Sequence, residues 1–489
     1  MTAGNPDFLF TSLSFWWFMA AVLAGFSFLY RYRTARNRFL LLCSLFFYFE
    51  TAGAAFFLLL ASIFLNYGCG WLIDKSHQER SPGTAKFFLV IGILLNLSLL
   101  SYFKYADFLN RIVYEWMPVW PGGEEAGLFG DLPFSETLVL PVGISFFTFQ
   151  ALSYLVDLHR RQLPFCRDLL DFALYLSFFP QLVAGPIVRA RDFLPQLQRH
   201  YQLSTKEFSF ALFMVICGLV KKIAIADWIA QWVNPVFENA TLYTGFEHWM
   251  ATYGYAMQIY CDFSGYTDIA IGLAACLGFT LPVNFRSPYK ADSFTDFWHR
   301  WHITLSTWFR DYVYIPMGGN RHGIPRMILA LLVSMTLCGI WHGAALNFLL
   351  WGLLHGLFLV FEKLTGLYRH PRKTWIRVLK TIIYFHLVCL SWIIFRTESL
   401  EAAGDWYLGL FQTTPFATIG GIIAHYKSVF AVILLGFALH FLPQSVQDGV
   451  RLVFARAPWL IKALVCLLIG VLLILTRSAV PQPFIYFSF

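Results

Sequence analysis

Long apolar runs recur from one end of the chain to the other, most of them near the roughly 20 helical residues that cross a bilayer and some longer. They include Phe8–Tyr30, Ala54–Ile73, Phe87–Phe103, Thr137–Leu158, Trp249–Leu281, Met327–Phe361 and Trp459–Leu475. In lipid every backbone amide must be satisfied within the segment, so such runs are helices. The fold class expected is all-α: a polytopic integral membrane protein with about 11–13 membrane-inserted helices, some of them re-entrant. Met327–Phe361 is long enough for two crossings, and Leu170–Ile187, broken by Gly and Pro, reads as re-entrant. Of the 489 residues 58% are hydrophobic and 13% charged, against roughly 25% charged in a soluble domain, which excludes a soluble enzyme. Nine cysteines lie singly with no C-x-x-C pair, so they read as packing residues and not as a disulfide framework or zinc ligands.

The net charge of +8 comes mostly from bases in short loops, where it reports topology. Arg31, Arg33, Arg36 and Arg38 crowd the first loop, and Arg300–Arg326, Lys363–Lys380 and Arg451–Lys462 are basic. Placing these in the cytoplasm leaves both termini outside. The first run is long and no basic residue precedes it, so a cleaved signal peptide is not expected. No soluble domain fits between the runs, and residues 1–489 read as a single transmembrane domain with an aromatic tail over 477–489.

Ionisable side chains inside apolar segments are costly and mark candidate sites. His342 lies between Ile340–Trp341 and Gly343–Ala345, and a neutral imidazole there suits a general base; a buried histidine satisfied by one carbonyl fits equally well. His299 and His302, three apart, share a helix face; with His342 they would make a metal site, but no carboxylate or cysteine completes a recognisable spacing, and no metal is expected. Asp262 and Asp268 flank Ser264–Gly265, either as a proton or cation path or as caps of a helix broken at Gly265. With Asn284 they read as intramembrane polar support. Arg286, Lys290, Arg300, Arg310 and Arg321 form a basic rim that either fixes topology or holds a phosphorylated donor. His355 reads as packing. The chain has no H-E-x-x-H, G-x-S-x-G, Walker or G-x-G-x-x-G signature.

Four motifs in order, QLVAGPIVR (Gln181–Arg189), DFSGYTDIAIGLA (Asp262–Ala274), FWHRWHITLSTWFRDYVYIP (Phe297–Pro316) and GIWHGAALNFLLWG (Gly339–Gly352), resemble the membrane-bound O-acyltransferase family. The likeness is greatest to its bacterial branch acting on alginate, peptidoglycan and, relatedly, teichoic acid. It spans about residues 141–356, which would be the catalytic core. The resemblance implies that His342 is the catalytic histidine and His302 its second histidine, at the centre of a funnel joining the two faces. It gives no such role to His299. The ending PQPFIYFSF (Pro481–Phe489) is similar to a family tail whose tyrosine carries the acyl group, which by position is Tyr486; composition alone favours an aromatic interface anchor.

The function expected is therefore O-acetyl transfer in the bacterial inner membrane. No cofactor would be bound; acetyl-CoA or a carrier-protein thioester would be the donor substrate. The partners would be membrane lipid and an extracytoplasmic acetyltransferase that passes acetyl to a polysaccharide, with no nucleic acid involved. The rivals are lipid or protein acylation within the same family, and a proton-coupled transporter using Asp262, Asp268 and the histidines.

Overall fold

The computed structural model describes residues 8, 10–116, 141–476 and 482–485; among these there is no strand and nearly every segment is helical. Seven described helices are long and apolar enough to cross a membrane: Ala55–Gln78, Pro82–Asn110, Thr205–Glu238, Ile324–His342, Leu346–Thr365, Thr374–Arg396 and Trp459–Thr476. An eighth span arises if Phe416–His425 and Lys427–Phe441, bent by 83°, act together. Met327–Phe361 thus does hold two crossings, divided at Gly343–Ala345. Among the described residues the full crossings are fewer than the about eleven to thirteen membrane-inserted helices expected, because several apolar runs form short or polar elements walled in by protein. Gly245–Cys276, for example, carries Glu247, His248, Asp262 and Asp268 yet is almost wholly buried.

The chain divides into two compact units, residues 1–202 with 277–281, and residues 203–276 with 282–489. In the first, helices Ala55–Gln78 and Pro82–Trp116 exchange amide hydrogen bonds between Asn66 and Asn96 at 3.1 and 2.7 Å. Such polar pairs hold apolar helices in register where no hydrophobic effect separates helix from lipid. The arginines expected in the first loop lie largely on the helix Arg33–Ala52. Arg36 turns inward, buried, and donates to the carbonyls of Leu197 and Arg199, so it is a structural clamp more than a topology charge. Leu170–Ile187 contains the helix Leu169–Ser177, a break at Phe178 and a single turn over Phe179–Leu182, with Asp171 to Ala190 buried throughout. Irregular backbone at such depth is tolerated only inside protein.

In the second unit, Thr205–Glu238 is one continuous span that widens into π-helical turns over Val220–Asp227. It runs against Gly245–Cys276 backbone to backbone: a Cβ on Gly265 would come within 2.8 Å of the Gly218 carbonyl oxygen, and one on Gly218 within 2.5 Å of the Gly265 oxygen. Only glycine permits that approach. The same holds where Ile324–His342 meets Leu346–Thr365, since a Cβ on Gly339 would lie 2.1 Å from the Phe348 oxygen and one on Gly352 2.4 Å from the Met335 oxygen. These two tight crossings fix the frame of the candidate site.

Candidate active site

His302 is carried by a segment that climbs into the unit. Its base is the short helix Phe294–Trp298, capped by Ser293 and by the buried carboxylate of Glu362, which accepts from the Phe294 and Thr295 amides at 2.7 and 2.9 Å and from the Thr295 hydroxyl at 3.0 Å. Glu362 lies near the C-terminal end of Leu346–Thr365. From that level the chain passes Trp298, packed on Trp351 and His355, and Trp301, packed on Trp392, before reaching His302 beside Trp341. Replacing Glu362 with alanine would leave the buried Phe294 amide and the part-buried Thr295 amide without their acceptor, at a cost of about 1–3 kcal/mol. Thermal unfolding of the solubilised protein measures this, with Glu362→Gln, which keeps an acceptor oxygen, losing less.

His302 is fully buried and adopts the left-handed backbone conformation, φ 41°, which a residue with a Cβ takes only when its surroundings compel it. Its Nδ1 is 3.2 Å from Asn284 Oδ1, and the same oxygen accepts from the Thr304 amide at 3.1 Å and the Thr304 hydroxyl at 2.9 Å. An oxygen that accepts a backbone N–H is an acceptor toward the ring too. Nδ1 therefore carries the proton and Nε2 the lone pair. Asn284, expected only as general polar support, thus sets the tautomer of His302.

His342 ends the helix Ile324–His342 and is 2% exposed, its ring enclosed by Trp351 at 5.3 Å and Phe395 at 5.2 Å between centroids. It sits at the end of a crossing and not midway along one. Trp341 joins the two histidines, 5.1 Å from the ring of His342 and 5.9 Å from that of His302. His299 is exposed and stands apart from the buried pair. Among the described residues the three histidines do not converge as metal ligands; the one group that does is Asp292, Asp296 and His370. His355 is packing, its Nε2 on the Ser391 hydroxyl at 3.1 Å.

Asp262 and Asp268 do not cap a broken helix, because Gly245–Cys276 continues through Gly265. Each carboxylate meets a lysine of the neighbouring span: Asp268 takes Lys221 at 2.6 Å, and Asp262 takes Lys222 at 2.5 Å. Lys222 also meets Asp227 at 2.8 Å, a neighbour at i+5 that the π-helical turns bring onto one face. The sequence alone singles out neither Lys222 nor Asp227, although the signal that the span continues is present: apolar residues resume at Ile223 with no Gly, Pro or Asn to turn the chain.

Tyr486 lies outside the described residues. The four residues before it, Gln482–Ile485, enter the same unit, with Phe484 1% exposed against Phe263 and Tyr266 and the Ile485 amide donating to Asp262 at 2.8 Å. Phe263 is the meeting point, its ring 5.6 Å from Phe484 on one side and 4.7 Å from His302 on the other.

Of the basic rim, Arg300 pairs with Asp296 at 2.8 Å, Arg310 with Asp311 at 2.7 Å, and Lys290 donates to the Leu442 carbonyl at 2.6 Å. Burial holds the Lys290 ammonium below its ordinary pKa. Arg286 and Arg321 are exposed. The motif Gln181–Arg189 falls in the first unit, where the Gln181 amide donates to the Tyr175 carbonyl at 2.9 Å.

An all-helical membrane protein with two buried histidines around one tryptophan, and a polar seam opposite them, defines the class. The sequence profile of the MBOAT, membrane-bound O-acyltransferase family, matches residues 95–400. The chain is 38% identical to the probable alginate O-acetylase AlgI of Pseudomonas aeruginosa over 77% of its own length and 70% of that protein. It is 36% identical to a peptidoglycan O-acetyltransferase of Helicobacter pylori, over 74% and 71% of the two chains. A teichoic acid D-alanyltransferase of Bacillus subtilis is 32% identical over 53% of this chain and 69% of that one. The chain belongs to the membrane-bound O-acyltransferase family and is an O-acyltransferase.

Proposed function

We propose that the protein moves acetyl from a cytoplasmic thioester, acetyl-CoA or an acylated carrier protein, to the outer face of the bacterial inner membrane, where a partner acetyltransferase passes it to an exported polysaccharide. The names of its relatives, an alginate O-acetylase and a peptidoglycan O-acetyltransferase, support the acyl group and the acceptor class. The observation that carries the reading is the approach of two segments to Phe263: the C-terminal tail on one side, and the His302 segment on the other. By loop charge the tail enters from outside and the basic rim faces the cytoplasm, with both termini outside.

In this reading His342 is the general base, His302 supports it with Nε2 free of the proton that Asn284 holds on Nδ1, and Tyr486 is the acyl carrier. The phenolic oxygen attacks the thioester carbonyl as its proton passes to imidazole. The C–S bond breaks, and the thiolate leaves with that proton as thiol. An acceptor hydroxyl then attacks the aryl ester, the C–O bond to Tyr486 breaks, and the phenol regains a proton. Thioester, aryl ester and alkyl ester form a descending series of acyl reactivity, so no ATP is needed. A phenol, pKa about 10, is both activatable by imidazole and a good leaving group. Residues 141–356 would form the catalytic core, with the exposed rim arginines Arg286 and Arg321 able to meet a donor phosphate.

Tyr486→Phe removes one oxygen and keeps the aromatic anchor. Acetate transfer to the polymer should be lost in cells carrying it at normal protein level. Transfer at the ordinary rate would leave the tail as an anchor only.

A further inference from the structure

Three ionisable groups on two neighbouring helices, Thr205–Glu238 and Gly245–Cys276, are buried near the middle of both, a costly arrangement that the proposed acyl transfer does not use. Lys222 is 3% exposed, Asp262 3% and Asp227 8%. Removing such charges from water costs several kcal/mol per ion unless the geometry satisfies all of them. An ammonium has three N–H donors. Lys222 meets Asp262 at 2.5 Å and Asp227 at 2.8 Å, and its remaining direction points at two main-chain carbonyls of the tail, Gln482 O at 3.3 Å and Pro483 O at 3.4 Å. Asp262 in turn uses its second oxygen to accept the Ile485 N–H at 2.8 Å. The cluster therefore holds two carbonyls and an amide of one short strap.

We propose that Lys222, Asp262 and Asp227 form an electrostatic latch that seats the C-terminal segment by its main chain, making them positioning residues for whatever follows Ile485. The proposal rests on the tail's role in acyl transfer only for its purpose; the seating itself is independent of that role. Three features fit a latch. Lys222 and Asp262 grip peptide groups, so their hold sets depth and direction through the main chain. Phe484 adds a side-chain anchor against Phe263 and Tyr266, and the Gln482 side-chain oxygen accepts from the Asn234 amide at 3.3 Å. A cavity of about 100 Å3 lies beside the strap, lined by Lys222, Asp227, Asn234, Gln258 and Arg396 among others, and the Gln258 side-chain oxygen in it is buried with no hydrogen-bond partner. Non-helical backbone such as this strap is tolerated at membrane depth where it is buried in protein or lines a polar cavity.

Hydrogen exchange of the full chain in detergent, read by mass spectrometry on the peptide beginning at Gln482, tests the latch. In Lys222→Met the amides of that peptide should exchange at least tenfold faster while the helix Ile324–His342 keeps its protection. Unchanged tail protection in a folded Lys222→Met protein overturns the latch. If Lys222→Met loses protection throughout, Ile485→Pro decides, because it leaves the charged cluster intact and deletes the one N–H that Asp262 accepts. Faster exchange of the remaining tail amides supports the latch, and unchanged exchange overturns it. Ile485→Ala retains the N–H and should exchange as the natural chain does. None of these readouts requires acyl transfer, so failure of the carrier role, read from Tyr486→Phe, is separable from failure of the latch.

Discussion

His342→Ala should abolish acyl transfer, by roughly 10²–10⁴-fold if the ring serves as general base, without altering the amount or the helicity of the protein in the membrane. The ring is 2% exposed and makes edge contacts with Trp351 and Phe395, so its truncation leaves a gap beside aromatic side chains that close over it. That separates a chemical loss from a folding loss, which circular dichroism of the purified variant checks. Labelled acetate incorporated into envelope polymer is the measure of transfer. Retention of normal incorporation would remove His342 from the chemistry. His302→Gln should fall less, because glutamine can still hydrogen-bond Asn284 while its amide supplies no basic nitrogen.

The second large effect is structural. Gly339→Val should prevent the helix pair that carries His342 from closing, since the new Cβ would lie 2.1 Å from the Phe348 carbonyl oxygen and 2.8 Å from the Gly352 Cα, both backbone atoms that cannot swing aside. Overpacking of a close-packed site typically costs about 1–3 kcal/mol. Contact with rigid backbone at this distance puts the variant at or above that range. The expected result is loss of monodisperse protein on size exclusion and a lowered unfolding temperature. Gly68→Ala is the matching control: a Cβ there meets nothing within 4 Å, and stability should be unchanged or slightly raised.

Much of the fold is written in hydropathy. Ile324–His342 and Leu346–Thr365 follow directly from an apolar stretch of twice the usual length with glycine at its centre. The burial of His302 and His342 is legible in the same way, since both lie amid Trp and Ile, although their residue context alone leaves a structural histidine as good a reading as a base. What hydropathy hides is pairing. Lys221 and Lys222 look like the end of a helix until Asp268 and Asp262, some forty residues later, are placed opposite them. Gly265 looks like a break until Gly218 is set against it, when it becomes a contact surface. Glu362 sits among apolar residues with no local sign that its partners are the amides of Phe294 and Thr295. Each of these depends on a distant segment, and one chain read alone carries no record of which segments meet. His302 stands between the cases: its residue type is visible, while its left-handed backbone and the tautomer fixed by Asn284 belong to tertiary structure.

The ring of Phe263, with His302 on one flank and Phe484 on the other, has a consequence for the cell's energy supply. An ion driven by the membrane potential gains ~2.3 kcal/mol per charge per 100 mV. To pass between those flanks it would have to shed its water against a hydrocarbon face. An enzyme addressed from two compartments, as proposed above, would thereby stay electrically tight, exchanging a neutral acyl group without short-circuiting the proton gradient.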